Sequence, residues 1–195
     1  MNNKTPVISI NNISFSYNDK NVFTDYSATF TTGKTTTIMS PSGKGKTTLL
    51  YLISGLLTPE AGDITYNIPS PRFSMVFQDD RLIAASSVIN NIKLVNPNLS
   101  ETDISLCLES LSLSGYEYKK VKHLSGGEKR RVAIARAILA DFDILLMDEP
   151  LTGLDDDTKE IVIQYIKKRT AGKTVLLVTH NKTEAEKLSK SIITI

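Results

Sequence analysis

A short glycine-containing segment, residues 39–48, has the residue types of a phosphate-binding loop. It reads MSPSGKGKTT and lies between an apolar stretch that predicts a strand and leucines at helical spacing. A loop that opens a helix leaves backbone N–H groups free at the helix N-terminus, and these groups attract anions. Gly43 and Gly45 allow the backbone to wrap closely around an oxygen-rich ligand. Lys46 can reach the outer phosphates of a nucleotide, and the Thr47 hydroxyl is placed to ligate Mg²⁺.

Two positions of this loop depart from the pattern G-x-x-x-x-G-K-[ST]. Ser40 stands where the first glycine is expected, and Lys44 adds a second cation. If position 40 requires a positive φ angle, serine costs about 1–2 kcal/mol there, which weakens nucleotide affinity without abolishing it. The alternative to a phosphate loop is an ordinary glycine-rich turn with two solvated lysines.

An apolar run at residues 144–147 ends in two carboxylates, Asp148 and Glu149. In a parallel sheet the carboxyl end of such a strand faces the ligand crevice. Successive side chains point in different directions, so one carboxylate can hold Mg²⁺ through its water shell while the other addresses an attacking water. Pro150 stiffens the turn where the two like charges would otherwise repel each other. The alternative is a solvated strand end.

The sequence LSGGE at residues 124–128 precedes a helical pattern. Ser125 and Glu128 match the capping box S-x-x-E, which requires no ligand. Gly126 and Gly127 leave the helix N-terminus bare, and a bare N-terminus can hold phosphate. Both interpretations are compatible with the residues.

Length and composition limit the class of protein. The 195 residues, 41% of them hydrophobic, predict a single domain over residues 1–195 with a helical insertion at about 79–123. The 23 basic and 21 acidic residues are interspersed and give a net charge of +2, so we expect no nucleic-acid partner. Cys107 is the only cysteine, which excludes an intramolecular disulfide and suits a reducing compartment. No apolar run approaches the ~20 residues of a membrane span, so we expect a cytoplasmic protein that meets a membrane only through a partner.

The hydrophobic pattern predicts an α/β fold. An antiparallel hairpin comes first, and strands that alternate with helices imply a mostly parallel sheet in the rest of the chain. Two apolar stripes, one formed by Val88, Ile89 and Ile92 and one by Ile104, Leu108 and Leu111, make the insertion helical. Strands are predicted at 7–17, 23–30, 36–39, 64–66, 73–77, 144–147, 174–178 and 192–195, and helices from the loop to about 55, at 128–140, 158–169 and 182–188.

Together these motifs resemble those of the ATP-binding cassette (ABC) ATPases, over about residues 8 to 195. The order LSGGE, helix, then a strand ending in DEP is specific to them. The resemblance implies a P-loop NTPase core with a mostly parallel sheet, an N-terminal antiparallel β lobe, a small helical insertion, and ATP with Mg²⁺ as ligands. It rests on the phosphate loop, Gln78 after a strand, LSGGE at 124–128, LLMDEP at 145–150, LTGLD at 151–155 and a strand that ends VTH at 178–180.

The resemblance assigns nucleotide contacts residue by residue. Tyr17 matches the aromatic residue that stacks on adenine, although its place in an alternating strand also fits a core or surface aromatic. Lys46 would hold the β- and γ-phosphates. The loop residues matched to nucleotide binding are Ser40, Pro41, Ser42, Gly43, Lys44, Gly45, Lys46, Thr47 and Thr48.

The resemblance also assigns catalytic and metal contacts. Gln78 would contact Mg²⁺ and the attacking water and report nucleotide state to the helical insertion; otherwise it is a polar residue that ends an edge strand. Glu149 would be the general base, and His180 matches the histidine that contacts the γ-phosphate. His123 has no such match and is expected at the surface. The implied metal contacts are Thr47, Gln78 and Asp148, and the implied catalytic residues are Lys46, Gln78, Glu149 and His180.

A second chain is part of what the resemblance implies. Ser125, Gly126 and Gly127 of one molecule would bind the γ-phosphate of the ATP held by another, and Asp155 would line the shared interface. We expect a homodimer with two head-to-tail sites, so that ATP holds the chains together and hydrolysis releases them.

Relatives without a membrane span usually drive a separate transmembrane permease subunit, which docks on the insertion between Gln78 and Leu124. We expect solute import, with the chain peripheral at the inner face of the cell membrane. Residues 75–82 are similar to the group that imports nitrate, sulfonates and related small solutes, whereas 84–86 depart from the proline–tryptophan that often follows. The alternatives are the ATPase of a lipoprotein or drug export system, and a cell-division ATPase that acts on a membrane partner without carrying a solute.

Overall fold

Eight strands and six α-helices make up the part of the chain that the computed structural model describes, residues 6–18, 20–41 and 43–195. The strands are β1 Pro6–Tyr17, β2 Lys20–Thr31, β3 Thr35–Met39, β4 Ala61–Tyr66, β5 Phe73–Val76, β6 Ile144–Asp148, β7 Thr174–Val178 and β8 Ser191–Thr194. The helices are α1 Lys46–Ile53, α2 Val88–Lys93, α3 Glu101–Ser110, α4 Gly126–Leu139, α5 Asp156–Arg169 and α6 Lys182–Leu188.

A parallel sheet of five strands, in the order β5-β6-β7-β3-β8, forms the centre. Every residue of β6 and β7 is buried, as expected for parallel strands covered on both faces. The predicted parallel sheet is therefore confirmed. Because parallel strands end at the same edge, the segments that follow β3, β5, β6 and β7 all emerge there.

The N-terminal strands form a separate antiparallel sheet in the order β2-β1-β4. This confirms the predicted antiparallel lobe and adds β4 to it, a pairing that the sequence pattern did not indicate. Tyr17 pairs with Lys20 at the hairpin end, so Lys20 and Asn21 of the predicted turn belong to β2. Asp19, in the predicted turn, lies outside the described residues.

Two hydrophobic cores lie on opposite faces of the parallel sheet. Ile144 and Leu146 of β6 pack with α1 and the antiparallel lobe. Leu145 and Met147 pack with α4, α5 and the helical insertion. The alternation of side chains along one strand thus divides β6 between the two cores.

The segment between β5 and α4 is helical, as predicted, with α2, α3 and a 3₁₀ turn at Val121–His123. Both predicted apolar stripes are buried. Ser87 and Ser100 cap α2 and α3. The fully buried amide of Asn91 donates to the carbonyls of Ile83 and Ser87 and accepts from the Ile83 N–H.

Helices α4 and α5 each begin two residues earlier than the pattern suggested. Ser125 and Asp155 are their N-caps, so the polar residues that follow each cap belong to the first turn. In the described residues no helix is long and apolar enough to span a membrane.

Gly62 provides a test of the lobe. Its φ angle is +79°, and a Cβ atom there would lie 2.4 Å from the carbonyl oxygens of Asn11 and Asn12. We expect Gly62→Ala to lower the free energy of unfolding by roughly 3 kcal/mol, at the upper end for point substitutions, because backbone strain and a clash act together. Gly55→Ala is the matched control, because Gly55 has a φ angle of +74° but nothing lies within 4 Å of the added atom. We expect it to lower the free energy of unfolding by only about 1–2 kcal/mol. Urea denaturation of both variants measures the difference, and equal losses would contradict the packing described for β1 and β4.

Candidate functional site

A cavity of about 310 Å³ lies where the antiparallel hairpin meets the phosphate loop and the ends of β5 and β6. Residues from four separate parts of the sequence form its wall. They are Tyr17, Lys20, Val22, Gly43, Gly45, Lys46, Thr47, Thr48, Gln78, Asp148 and Glu149. The structure therefore brings the aromatic residue, the loop, the glutamine and both carboxylates together, as the sequence analysis expected. Lys20 and Val22 were not anticipated.

Gly45 shows why this loop requires glycine. It is the N-cap of α1 with a φ angle of +86°, and a Cβ atom would lie 2.5 Å from Val22 Cγ1 and 3.0 Å from Phe23 Cζ. Strand β2 is thus packed directly against the loop. Because glycine brings no side chain to the cap, the first backbone N–H groups of α1 have no side-chain cap among the described residues.

Lys46 is the loop lysine that belongs to the cavity. Its side chain is almost completely buried, and Nζ donates to the carbonyls of Ser40 at 2.6 Å and Pro41 at 3.1 Å. Lys44 is exposed and is not part of the cavity wall. Ser42 lies outside the described residues. The two loop carbonyls fix the ammonium group beside the bare end of α1.

Ser40 does not carry the strain considered from the sequence. It is not among the described residues that take a positive φ angle. The condition under which serine would cost 1–2 kcal/mol is therefore not met. The contact of position 40 with Lys46 is made by its carbonyl group, which serine supplies as glycine would.

The two adjacent carboxylates face different partners. Thr47 Oγ1 donates to Asp148 Oδ2 at 2.6 Å, and Asp148 is 1% exposed. Glu149 Oε1 lies 2.8 Å from Nδ1 of His180, whose side chain is exposed. Glu149 has a φ angle of +48°, which is uncommon for a residue with a side chain and costs about 1–2 kcal/mol. Strain of this kind is concentrated at functional sites.

Burial sets the electrostatics of Asp148. It raises the pKa of this carboxyl group, and the neighbouring charge of Glu149 acts in the same direction. The hydroxyl of Thr47 and the cations of Arg130 and Lys46 oppose that rise in the pKa. The folded protein thus holds a proton on Asp148 more tightly than the unfolded chain does.

The donor atoms around Thr47 suit a hard cation. A hydroxyl oxygen, the carboxylate of Asp148 and the amide of Gln78 all belong to the cavity wall. Mg²⁺ takes oxygen ligands and commonly binds through one or two carboxylates together with phosphate oxygens and water. The residues present fit Mg²⁺ bound with a nucleotide.

The LSGGE residues lie apart from this cavity. The capping box is present, with Ser125 N–H donating to Glu128 Oε2 at 2.7 Å and Glu128 N–H donating to Ser125 Oγ at 3.3 Å. A Cβ atom on Gly126 would meet nothing within 4 Å, so this end of α4 is open. Asp155 caps α5 by accepting hydrogen bonds from Thr158. Neither the LSGGE segment nor Asp155 belongs to the wall of the cavity in the same chain.

Tyr116 supports the capping box from the helical insertion. Its hydroxyl donates to Glu128 Oε1 at 2.7 Å, and this bond together with the backbone amide of Ser125 lowers the pKa of Glu128. Lys119 Nζ lies 3.3 Å from the centroid of the Tyr116 ring. Nothing in the sequence pattern pointed to Tyr116, because it lies in an irregular segment without a motif.

Arg130 was also missed, although a signal was available. The predicted helix places Arg130, Ile134 and Ala137 on one face at the spacing i, i+4, i+7. A cation on an otherwise apolar face indicates a buried charge with dedicated partners. In the structure Arg130 is 4% exposed and binds the segments that follow β5 and β6. His123, by contrast, is exposed as expected.

The sequence profile of the family described as "ABC transporter" matches residues 23–152, which is more than half of the chain. The chain belongs to the ABC transporter family. The matched range includes the loop, Gln78 and both carboxylates of the cavity, and the expected P-loop NTPase fold is confirmed.

Two named relatives belong to import systems. "Spermidine/putrescine import ATP-binding protein PotA" of Mycoplasma capricolum is 32% identical over 203 residues, covering 96% of this chain and 58% of PotA. "Thiamine import ATP-binding protein ThiQ" of Brucella suis is 36% identical over 202 residues, covering 95% of this chain and 83% of ThiQ. This ABC family member therefore spans little more than half of PotA.

A solved structure agrees with the fold. The chain matches "Structure of a bacterial Atm1-family ABC exporter with ATP bound" with a TM-score of 0.88 and 24% identity, over 100% of this chain and 38% of the exporter chain. At this identity the likeness concerns the fold of the ABC ATPase unit alone.

The raised pKa of Asp148 predicts a pH-dependent stability. Because the folded state binds the proton more tightly, stability falls as pH rises through the interval between the ordinary aspartate pKa, about 3.9, and the raised folded value. We therefore expect Asp148→Asn to raise the thermal midpoint at pH 7.5, with the gain shrinking as the pH is lowered towards about 4.

Asp143→Asn is the control of opposite sign. The side-chain hydrogen bond from Arg72 lowers the pKa of Asp143, so its stabilising effect is present at neutral pH and is lost as the pH falls through the lowered value. Thermal unfolding of both variants without nucleotide tests the assignment. A lower midpoint for Asp148→Asn at pH 7.5 would contradict it.

Proposed function

We propose that this ABC family member is a single-domain ATPase, residues 1–195 with the helical insertion at about 79–123, that powers solute import through a separate membrane permease. The observation that carries the proposal is the cavity in which Lys46, Thr47, Gln78, Asp148 and Glu149 meet. A phosphate loop alone would indicate only nucleotide binding. The carboxylate of Glu149 beside it adds a group that can accept a proton from water.

The cavity has one end for the base of ATP and one end for its phosphates. Tyr17 stands at the hairpin end, 45% exposed, with its ring edge-to-face against Phe15 at a centroid distance of 4.9 Å. A ring fixed in this way and still open on one side can stack on adenine. Lys46 and the first turn of α1 then receive the phosphates. Thr47, Asp148 and Gln78 would hold Mg²⁺, which when bound supplies positive charge against the phosphate oxygens.

In the proposed hydrolysis the two carboxylates have different roles, Asp148 at the metal ion and Glu149 at the attacking water. A water oxygen bonds to the γ-phosphorus while the bond to the bridging oxygen breaks, so that ADP leaves with that electron pair and phosphate is formed. Glu149 accepts one proton of the water. His180, 2.8 Å from the Glu149 carboxylate, holds this group in place and would contact the γ-phosphate. Gln78, which also lines the cavity, would orient the water.

A second copy of the chain is the proposed partner for ATP. The open helix end at Gly126 and the neighbouring Ser125, Gly127 and Asp155 lie outside the cavity of their own chain. An open helix N-terminus is suited to a phosphate group. Pairing two chains head to tail would place this end of each α4 against the ATP of the other, giving a homodimer held together by nucleotide.

The named relatives favour import. PotA and ThiQ are both named import proteins, which supports import over lipoprotein or drug export and over a cell-division role. We propose that the chain acts in the cytoplasm at the inner face of the cell membrane, bound to its permease. Because basic and acidic residues are interspersed along the sequence, we propose no nucleic-acid partner.

A groove of about 570 Å³ beside the helical insertion suits a permease segment. Its wall is largely apolar, and Leu56 and Val95 are 56% and 41% exposed. The guanidinium of Arg81 lies 3.8 Å from the centre of the Phe77 ring, which holds a cation at one side of the groove. A helix with an apolar face and a carboxylate matches this surface. The groove adjoins the start of the insertion between Gln78 and Leu124, where the resemblance implies docking.

The groove makes a prediction about membrane binding. The double variant Leu56→Glu with Val95→Glu should bind at least tenfold less to vesicles prepared from the source cells and stripped of this chain, because it buries two charges against an apolar partner. Its ATP affinity should stay within twofold of the unchanged chain. Ile161→Glu, which alters another exposed apolar residue on α5, is the control. Full vesicle binding by the double variant would place docking elsewhere.

The different proposed roles of Asp148 and Glu149 lead to a prediction about ATP-dependent dimer formation. Glu149→Gln keeps the size of the side chain but cannot accept a proton, so ATP should bind and remain intact. Light scattering after size-exclusion chromatography should show a dimer with ATP and a monomer with ADP. Adding Ser125→Arg should restore the monomer, because a bulky cation opposes the dipole at the open helix end.

Lys46→Ala is the control for nucleotide binding, since it removes the buried loop cation and should abolish both hydrolysis and dimer formation. A Glu149→Gln monomer that binds ATP under every condition would contradict the nucleotide-held homodimer.

A further inference from the structure

Arg130 is a buried cation whose contacts converge from two separate segments of the chain. It lies in the second turn of α4 and is 4% exposed. Its guanidinium meets six acceptors, five of them backbone carbonyl groups. Nε donates to Pro150 O at 3.0 Å. Nη1 donates to Phe77 O at 2.5 Å, to Gln78 O at 3.3 Å and to Asp80 Oδ1 at 3.2 Å. Nη2 donates to Asp148 O at 2.7 Å and to Glu149 O at 2.6 Å.

We propose that Arg130 is a positioning residue for ATP hydrolysis, which fixes Gln78 and Glu149 relative to each other and links both to the helix that begins at the LSGGE motif. The proposal rests on the proposed function, because it assigns a part in the same reaction. Arg130 is not among the residues that line the cavity, and it acts through hydrogen bonds to the segments that contain Gln78 and Glu149.

The sheet itself cannot supply this connection. The ladder between β5 and β6 ends with the pair Val76 and Met147, and Gln78 and Glu149 both lie beyond that pair. Past this pair the ladder stops, and carbonyl groups of both segments accept hydrogen bonds from Arg130. The guanidinium therefore continues the alignment of the two segments where the hydrogen bonds of the strands stop. A planar group with five N–H donors in fixed directions can do this, whereas an ammonium group cannot match all the directions at once.

The same contacts hold the strained conformation of Glu149. Its φ angle of +48° is opposed by local sterics, so neighbouring groups must stabilise it. The backbone N–H of Glu149 donates to Val178 O at 2.9 Å, and its carbonyl accepts from Arg130 at 2.6 Å. With both sides of the residue held, the carboxylate is directed to His180. The same carbonyl accepts from the Thr152 N–H at 3.2 Å, so Arg130 adds the shortest of three hydrogen bonds that hold the backbone of this residue in the left-handed region.

Helix α4 gives this arrangement a second consequence. Its open N-terminus at Gly126 and Arg130 are about one turn apart on one helix, so they move together. Arg136, further along α4, donates to the carbonyls of Asp80 and Arg81 and fastens the continuation of the Gln78 segment to the same helix. A nucleotide phosphate that the second chain brings to the open end would therefore act on Gln78 and Glu149 of the first chain through α4 and the hydrogen bonds from Arg130 to their carbonyls.

The test compares two Arg→Lys substitutions at adjacent positions of α4. Arg131 also donates to backbone carbonyls, but those of Leu111 and Ser112 at the end of α3 and of Gly127. We expect Arg130→Lys to lower kcat at least 30-fold while KM for ATP changes less than threefold, because the nucleotide contacts stay intact and the catalytic pair loses its alignment. Arg131→Lys should keep kcat within threefold.

Two further measurements separate positioning from general damage to the fold. In the Glu149→Gln background, adding Arg130→Lys should leave the ATP-dependent dimer, unlike Ser125→Arg. The rise in thermal midpoint on adding MgATP should also be retained. Arg130→Gln, which can still donate two hydrogen bonds, serves if the lysine variant does not fold, and it should show the same fall in kcat.

The outcomes are distinguishable. If the unchanged chain does not hydrolyse ATP, the proposed function fails and the role of Arg130 fails with it. If the unchanged chain is active and Arg130→Lys keeps kcat within threefold, only the role of Arg130 is overturned. If both Arg130 variants lose ATP binding and the thermal shift together with kcat, or if Arg131→Lys falls as far, Arg130 is a general structural residue and the inference is wrong.

Discussion

Parallel pairing of the central strands is the constraint on which the site depends. Strands β5, β6, β7 and β3 run in the same direction, so the segments that follow them reach one edge of the sheet from widely separated parts of the sequence. The phosphate loop, Gln78, Glu149 and His180 each follow one of these strands, and Asp148 is the last residue of β6. No local interaction could assemble this set. It exists because β6 and β7 are buried along their whole length and β5 at alternate residues, and burial of this kind specifies the register in which strands pair.

An edge of this kind ends the hydrogen bonds of the sheet, and the carbonyl groups beyond it need other donors. Cations supply them here. Lys46 binds the carbonyls of Ser40 and Pro41, and Arg130 binds those of the segments after β5 and β6. A buried carbonyl left without a partner costs about 1–3 kcal/mol, so these side chains stabilise the loops as well as shaping them. The positive charges also oppose the rise in the pKa of Asp148 that burial causes.

The sequence predicted the elements and most of the cavity, because local patterns determine both. The apolar run before Asp148, the capping pattern at Ser125 and the helical stripe at Val88 each contain their own signal within a few residues. The pairing of β4 with β1 could not be predicted in this way, since it depends on a contact between distant segments. The bond between Tyr116 and Glu128 has the same cause. The sequence shows Arg130 as a cation on an apolar helix face. Five of its six acceptors are backbone carbonyl groups, which every residue type has, so the sequence could not identify them.

The division of β6 between two cores has a consequence for how substitutions combine. Leu145 and Met147 are held from one face and Ile144 and Leu146 from the other, while the strand ends at the two adjacent carboxylates of the cavity. A change of volume in either core shifts the same strand, from opposite directions. Substitutions that never touch each other, one under the antiparallel lobe and one under α4, therefore act on a shared backbone and are epistatic in their effect on the position of Glu149. Variation tolerated in one core of this protein depends on what already occupies the other.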